Sequence, residues 1–360
     1  MSASAFESRR LALQRRMAGA KLDALLVSHS ANVRYLSGFT GSNGLVLMLV
    51  DRAILFTDPR YKIQASSEVD CRVQVVRGPL LPHVLAVIKR LRARRLGFEN
   101  NRVSFEAYQF LKEHLPLKTA LDPVAGWVEE QRMIKSDDEI DHIRRSVDLN
   151  SAAFERAVTR LRPDMRESEL AAELDYRMRR LGAEGPAFET IVASGPRTAW
   201  PHARPSSDKL RGNALVLVDM GANLDGYASD MTRMLFVGRP GARVKRTYGA
   251  VLEAQLAAID AVRAGVTAES VDRAARRVLR SHKLDRAFVH STGHGLGLEI
   301  HEPPRLGKKD KVTLQAGMAI TVEPGVYLEG FAGIRIEDTV VVTSNGCRVL
   351  TPTSKDLRVI

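Results

Sequence analysis

Two aspartates placed about a turn are the first residues here whose types and spacing can do chemistry. Residues 214–238, ALVLVDMGANLDGYASDMTRMLFVG, hold two strand-like runs around Asn223-Leu224-Asp225-Gly226, a strong hairpin signal. The midpoint between Asp219 and Asp230 falls between Leu224 and Asp225. The two carboxylates are therefore predicted as directly opposed cross-strand neighbours, with Cβ atoms roughly 4.5–5.5 Å apart. Like charges held so close repel unless a cation lies between them, and two divalent ions roughly 3.5–4 Å apart would resolve the conflict. Taken alone, the pair also reads as two exposed strand carboxylates or a turn-stabilising aspartate. Three further segments add metal-competent groups in or beside apolar strands: residues 289–304 (VHSTGHGLGLEIHEPP), 319–328 (AITVEPGVYL) and 333–342 (GIRIEDTVVV). Glu323 and Glu337 interrupt runs that otherwise look buried, and charged side chains are seldom buried without a partner. Carboxylates with one imidazole suit hard or borderline ions, Mn²⁺ ahead of thiolate-seeking metals, with Zn²⁺, Co²⁺ and Fe²⁺ left open.

The elements that must position these groups follow from length and pattern. At 360 residues, 44% hydrophobic and 27% charged, the chain exceeds what one hydrophobic core usually serves, so two domains are expected. The first third alternates helix and strand signals as an α/β domain does. Helices are predicted at 9–21, 61–68 and 81–94, strands at 23–27 and 95–98, a hairpin from 44–50 and 53–56, and a further apolar stretch at 72–76. The polar segment QRMIKSDDE at 131–139 offers Ser136 as an N-cap with Glu139 three residues on, a capping box that marks the boundary between domains 1–134 and 135–360. The second domain opens with helices at 137–161 and 167–181 and then becomes rich in strands separated by glycine turns.

Composition narrows the function classes. Apolar runs such as residues 45–50 fall far short of the roughly 20 residues of a membrane span, so no membrane association is expected. Residues 1–20 are Arg-rich but lack a continuous apolar stretch and a cleavage site, and they read as a first helix. Cys71 and Cys347 form neither a disulfide framework nor a metal-ligand pair, which fits a reducing cytoplasm. The net charge of +12 raises a nucleic-acid reading, but residues 1–135 carry 21 Lys and Arg against 12 Asp and Glu, and the remainder 33 against 30. The excess thus sits in the first domain, where the run KRLRARR at 89–95 has no interleaved aromatics for base stacking and reads as a solvated helix face. A basic binding module is the non-enzyme alternative, set apart by salt-sensitive nucleic-acid binding without metal-dependent hydrolysis.

The ordered set Asp219, Asp230, His294, Glu323 and Glu337, within VDMGANLDGYASD, HGLGLEIHEPP, VEPGVY and GIRIEDT, resembles the pita-bread metallopeptidases. That family includes methionine aminopeptidases, aminopeptidase P, prolidases and creatinase. The resemblance implies a creatinase-like αβ N-terminal domain, then a pseudo-twofold αβ domain whose curved, largely antiparallel sheet holds two divalent ions on those five ligands. Creatinase and the non-enzymatic relatives lack the ligands. Methionine aminopeptidases lack such a first domain and usually the histidine four residues before the ligand histidine, here His290. His290 and His301, flanking His294, and His202 in Trp200-Pro201-His202-Ala203-Arg204 resemble the proline-specific members. RYLSGFTGSNG at 34–44, followed by FTDPRY at 56–61, resembles cytosolic aminopeptidase P more than prolidases. The expected activity is removal of the first residue from peptides with proline second, by an Xaa-Pro aminopeptidase acting as a homodimer, with Xaa-Pro dipeptidase (prolidase) as the alternative.

The same resemblance distributes roles. The ions, Mn²⁺ first, would activate water, and Glu323 would take its proton. His301 would polarise the scissile carbonyl oxygen with His202 bonding nearby. His202, His290, His301 and Tyr327 would surround the proline ring, which has no N–H to satisfy, and Arg335 would join Tyr327 in a hydrogen-bonded network. His29, His83, His114, His142 and His282 read as structural. Gly293, Gly295 and Gly297 lack the rest of a dinucleotide or Walker fingerprint and read as positions of close backbone approach.

Overall fold

A computed structural model describes residues 4–162, 164–210 and 212–360; Met1, Ser2 and Ala3 of the Arg-rich opening lie outside them. The chain divides into two compact units, Met1–Arg132 and Met133–Ile360.

In the first unit, helix α1 (Ala5–Gly19) starts at Ser4, whose hydroxyl accepts the Glu7 N–H, and buries Leu13 and Met17. It leads into β1 (Ala24–Val27), then α2 (Ser30–Ser37), β2 (Gly44–Leu49), β3 (Ala53–Thr57), α3 (Lys62–Glu68), β4 (Arg72–Val75), α4 (Leu80–Leu91), β5 (Arg95–Glu99), α5 (Phe105–His114), β6 (Ala120–Val124) and α6 (Trp127–Met133). The six strands form one mixed sheet, ordered β4-β3-β2-β1-β5-β6. Every residue of β1 is buried, as expected of a central strand covered on both faces, so ALLV needs no polar alternation. The expected hairpin is β2–β3. Residues 89–95 depart from the expected solvated helix face. Helix α4 ends at Leu91, Arg92 takes φ 53° as a left-handed cap, Ala93 is buried, and Arg95 opens β5 and pairs with Asp122. The chain must reverse there to enter the sheet, which breaks the helical period of KRLRARR.

The second unit begins at the Ser136–Glu139 capping box of α7 (Asp137–Val158), followed by α8 (Glu167–Arg180). Strands β7 (Gly185–Pro186), β8 (Ile191–Ser194), β9 (Ala214–Met220), β10 (Ala222–Leu224), β11 (Tyr227–Ala228) and β12 (Met231–Val237) come next. Helices α9 (Ala242–Ala261) and α10 (Ala268–Ser281) precede β13 (Gly293–Gly295), β14 (Glu302–Leu306), β15 (Ala319–Val322), β16 (Gly325–Leu328), β17 (Ala332–Arg335), β18 (Asp338–Val342), β19 (Cys347–Val349) and β20 (Arg358–Val359). One sheet is ordered β20-β12-β9-β8 and another β14-β13-β15-β18-β19, antiparallel throughout except β12–β20. Strand β9 is buried on both faces. Leu215 and Leu217 face a core shared with α9, α10, β15 and β18, while Val216, Val218 and Met220 face a core shared with α7 and α8. By the two-residue period of a strand, Asp219 joins the first set and points toward β15 and β18. Among the described residues no helix is long and apolar enough to cross a membrane.

Candidate active site

The β9–β12 hairpin sets the first two acids. Its tip, between Leu224 and Tyr227, is the two-residue turn Asp225-Gly226, with φ of 51° and 74°. A turn of that type needs positive φ at both central residues, which Asp-Gly supplies and Leu-Asp does not. The turn centre therefore lies one residue later than the sequence suggested, and the register shifts by two. Asp219 faces Thr232, and Asp230 stands just before Met231, whose partner is Met220. The aspartates are diagonal rather than directly opposed. They remain on one face, because a two-residue shift preserves the side.

The two glutamates arise from a second irregularity. Strands β15–β16 and β17–β18 form one long hairpin whose register continues from Val322↔Asp338 to Gly325↔Arg335. Pro324 cannot donate to the ladder, and pairing lapses around it. There the Glu323 N–H turns to the Thr292 carbonyl and the Glu337 N–H to the Thr232 carbonyl. The lapse brings both carboxylates against the first hairpin and against His294 on β13.

Asp230, His294 and Glu337 each place a ligand-competent atom within 4.8 Å of the other two. His294 Nε2 lies 3.4 Å from Glu323 Oε1 and 3.6 Å from Asp230 Oδ2. His294 Nδ1 donates to the Gly295 carbonyl, so Nε2 keeps its lone pair toward the cluster. Asp219 joins through Arg335, whose Nη2 donates to Asp219 Oδ2. Within this cluster two buried oxygens have no hydrogen-bond partner, Asp219 Oδ1 and Glu337 Oε1. Burial, then repulsion from the other acids, holds Asp230 and Glu337 well above the usual carboxylate range, and burial chiefly lifts Glu323 to about 8. Burial also lowers His294 to about 4, leaving the imidazole neutral. Orphaned oxygens, crowded acids and a neutral imidazole are the signature of a divalent-cation site, and the oxygen-plus-imidazole donor set fits a hard or borderline ion.

These groups line a cavity of about 1030 Å³ that also receives His202, His290, His301, Phe188, Arg305 and Arg335. The three flanking histidines are not equivalent. His290 Nδ1 donates to the Ser291 carbonyl, and Nε2 accepts from the Tyr327 hydroxyl at 2.8 Å, so both ring nitrogens are occupied. Burial depresses its pKa to about 4, consistent with a neutral ring. His202 and His301 make no hydrogen bond to protein among the described residues, and His301 stands edge-on to His294 with ring centroids 4.4 Å apart. Tyr327 lies outside the cavity lining, its hydroxyl bridging His290 and Arg335. Arg335 commits four of its five N–H donors: Nε donates to Thr232 Oγ1, Nη1 to Tyr327 and the Pro201 carbonyl, Nη2 to Asp219. The glycines behave as expected. A Cβ on Gly293 would sit 1.9 Å from the Thr321 carbonyl oxygen, and one on Gly295 2.3 Å from that of Pro303.

Sequence reasoning overlooked the residues that hold the cluster. Thr232 donates to Glu337 Oε2 at 2.7 Å while accepting from Arg335. Thr321 accepts from the His294 N–H and donates to Glu323. Lys135 pairs at 3.0 Å with Glu302 beside the His301 turn, both side chains only 2% exposed. Asp272 on α10 holds Thr292 and Arg276, and Arg276 in turn holds the His290 carbonyl. A threonine facing Asp219 becomes legible only once the register is known.

Comparison with known proteins agrees with this geometry. Residues 141–344 match the metallopeptidase family M24, and residues 9–134 the creatinase/prolidase N-terminal domain. The Xaa-Pro dipeptidase of Pyrococcus furiosus is 35% identical over 337 residues, 93% of this chain and 95% of that protein. Among solved structures, the Xaa-Pro dipeptidase from Bacillus anthracis superposes with a TM-score of 0.95 at 37% identity, covering 99% of this chain and 100% of that one. The X-Pro aminopeptidase from Thermotoga maritima superposes with a TM-score of 0.90 at 36% identity, covering 97% and 100%. With a creatinase-type first unit and an antiparallel pita-bread second unit that gathers acids and an imidazole in one cavity, this chain belongs to the metallopeptidase family M24.

Proposed function

We propose that the protein is a metal-dependent Xaa-Pro dipeptidase, with Asp219, Asp230, His294, Glu323 and Glu337 holding two divalent ions, Mn²⁺ first. The observation that carries this reading is the buried acid cluster with two orphaned oxygens, opening onto a cavity beside His202 and His301. The sequence favoured an aminopeptidase on the strength of residues 34–44. Relatives named Xaa-Pro dipeptidase or prolidase, found by sequence and by structure over nearly the whole chain, weigh more than that one segment. A dipeptidase also needs a cation for proline's free carboxylate. Arg335 is spent on Asp219, Tyr327, Thr232 and Pro201, whereas Arg305 lines the cavity without an ion-pair partner among the described residues. The similarity to the T. maritima X-Pro aminopeptidase keeps aminopeptidase as the second reading.

Two divalent ions, when bound, supply Lewis-acid activation of water and of the scissile carbonyl. Glu323 receives the proton of the attacking water and returns it to the departing prolyl nitrogen. His202 and His301, which make no hydrogen bond to protein among the described residues, donate to the carbonyl oxygen as it gains charge. His290, with both nitrogens occupied, offers a ring edge and with Phe188 forms an apolar wall for the proline. That wall leaves no acceptor idle, since proline has no N–H to meet one. Thr232, Thr321 and Arg335 hold the acids in place and exclude alternative rotamers.

Chelator-treated protein is expected to be inactive and to recover with Mn²⁺. Paired kcat/KM values for Ala-Pro and Ala-Pro-Gln-NH₂ test the specificity. A dipeptide preference is expected; a strong preference for the tripeptide amide would make aminopeptidase the correct reading, and full turnover without metal would sink both.

A further inference from the structure

A second cavity, of about 890 Å³, adjoins the first. His290, Ser291, Arg305, Asp310 and Val312 line both. Its remaining wall comes largely from the loop at 307–311, which contributes Lys308, Lys309 and Lys311. The charges there are unbalanced. Arg276 is neutralised by Asp272, and Lys311 pairs with Glu269. Asp310 turns its oxygens back to the N–H groups of Arg305 and Val312. Arg305, Lys308 and Lys309 have no ion-pair partner among the described residues, so three cations face this space beside one inward-bonded carboxylate. The shared wall includes His290, where the Xaa-Pro reading puts the proline ring. A peptide continuing beyond proline extends by roughly 3.3–3.6 Å per residue, and if it leaves the first cavity past His290 and Arg305, which line both, its third residue enters the basic one.

We infer that this cavity is a subsite for a carboxylate carried one residue beyond proline. The enzyme then also cleaves Xaa-Pro-Yaa tripeptides when the third residue presents a carboxylate, from its side chain or its own C-terminus, and discriminates against neutral ones. This activity goes beyond dipeptides and rests on the Xaa-Pro reading. Lys308 and Lys309 act through charge across a solvated cavity, so their effect on specificity is modest and screened by salt.

The test compares Ala-Pro-Glu-NH₂ (side-chain carboxylate), Ala-Pro-Gln (terminal carboxylate) and Ala-Pro-Gln-NH₂ (neither) on the Mn²⁺-loaded enzyme. Each carboxylate peptide is expected to exceed the neutral one in kcat/KM by about fivefold at low salt, a ratio that falls as salt rises. The K308Q/K309Q variant should bring that ratio below about 2. Wild-type ratios below about 2 for both carboxylate peptides, or a raised ratio that is insensitive to salt or unchanged in the variant, overturn the subsite. If only one of the two carboxylate peptides is favoured, the subsite stands and its source is identified. If no Xaa-Pro peptide is hydrolysed, the functional reading fails and the subsite is judged by lysine acetylation of metal-free protein. Ala-Pro-Glu-NH₂ should then slow labelling of Lys308 and Lys309 where Ala-Pro-Gln-NH₂ does not; equal labelling overturns it.

Discussion

Thr232→Val removes one hydroxyl at the centre of the acid cluster while keeping the shape of the side chain. Thr232 is fully buried, donates to Glu337 Oε2 at 2.7 Å and accepts from Arg335 Nε at 3.0 Å. The substitution leaves a buried guanidinium N–H and a buried carboxylate oxygen without partners. An unsatisfied buried group costs about 1–3 kcal/mol, so the pair destabilises the metal-free fold by about 2–6 kcal/mol. Loss of a group that orients a ligand lowers metal affinity by about 10- to 100-fold, equivalent to about 1.4–2.7 kcal/mol. Glu337 then retains its backbone contact to the Thr232 carbonyl but not its side-chain orientation. The assay is Mn²⁺ titration against a competing chelator at fixed pH, alongside urea unfolding of metal-free protein. Thr232→Ser, which keeps the hydroxyl, should restore affinity to within about threefold. Wild-type affinity and an unchanged urea midpoint in the valine variant would refute the positioning role of Thr232.

Stability of the metal-free protein should fall as pH rises above about 7. Glu323 sits at about 8 in the fold, and Asp230 and Glu337 are also raised. Groups with raised carboxyl pKa values favour the fold fully below the unfolded value of about 4 and lose that contribution as pH climbs through the folded value, by up to about 1.4 kcal/mol per pH unit each. His290 and His294, lowered to about 4 in the fold, oppose this trend up to their unfolded value of about 6.5, so thermal midpoints should decline between pH 7 and 8 without metal and flatten with Mn²⁺; parallel curves would contradict the cluster's electrostatics. Glu323→Gln should lose at least about 100-fold in kcat while keeping its circular dichroism spectrum, and near-wild-type turnover would remove Glu323 from proton transfer. Gly293→Ala drives a Cβ to 1.9 Å from the Thr321 carbonyl oxygen and should cost more than about 3 kcal/mol together with Mn²⁺ binding. A wild-type melting temperature would show that the strands relax apart freely.

Residue chemistry was legible in the chain because it is local. Carboxylates interrupting apolar runs, the Ser136–Glu139 capping box and the alternating pattern of the first unit depend only on nearby residues, and the fold carries each of them. The loss of helical period at 92–95 and helix α2, rich in mixed polar residues, left weaker local traces. Tertiary structure decided what depends on register and on which face meets which. The positive φ of Asp225 and Gly226 moved the turn by one residue, replaced Asp230 with Thr232 opposite Asp219, and so made a threonine the link between Arg335 and Glu337. Likewise nothing near His290 in sequence announces that Tyr327, thirty-seven positions away, occupies its second nitrogen while His202 and His301 make no hydrogen bond among the described residues. Side-chain type is a property of the residue, but availability is a property of its neighbours, and those are chosen by packing between strands far apart in the chain.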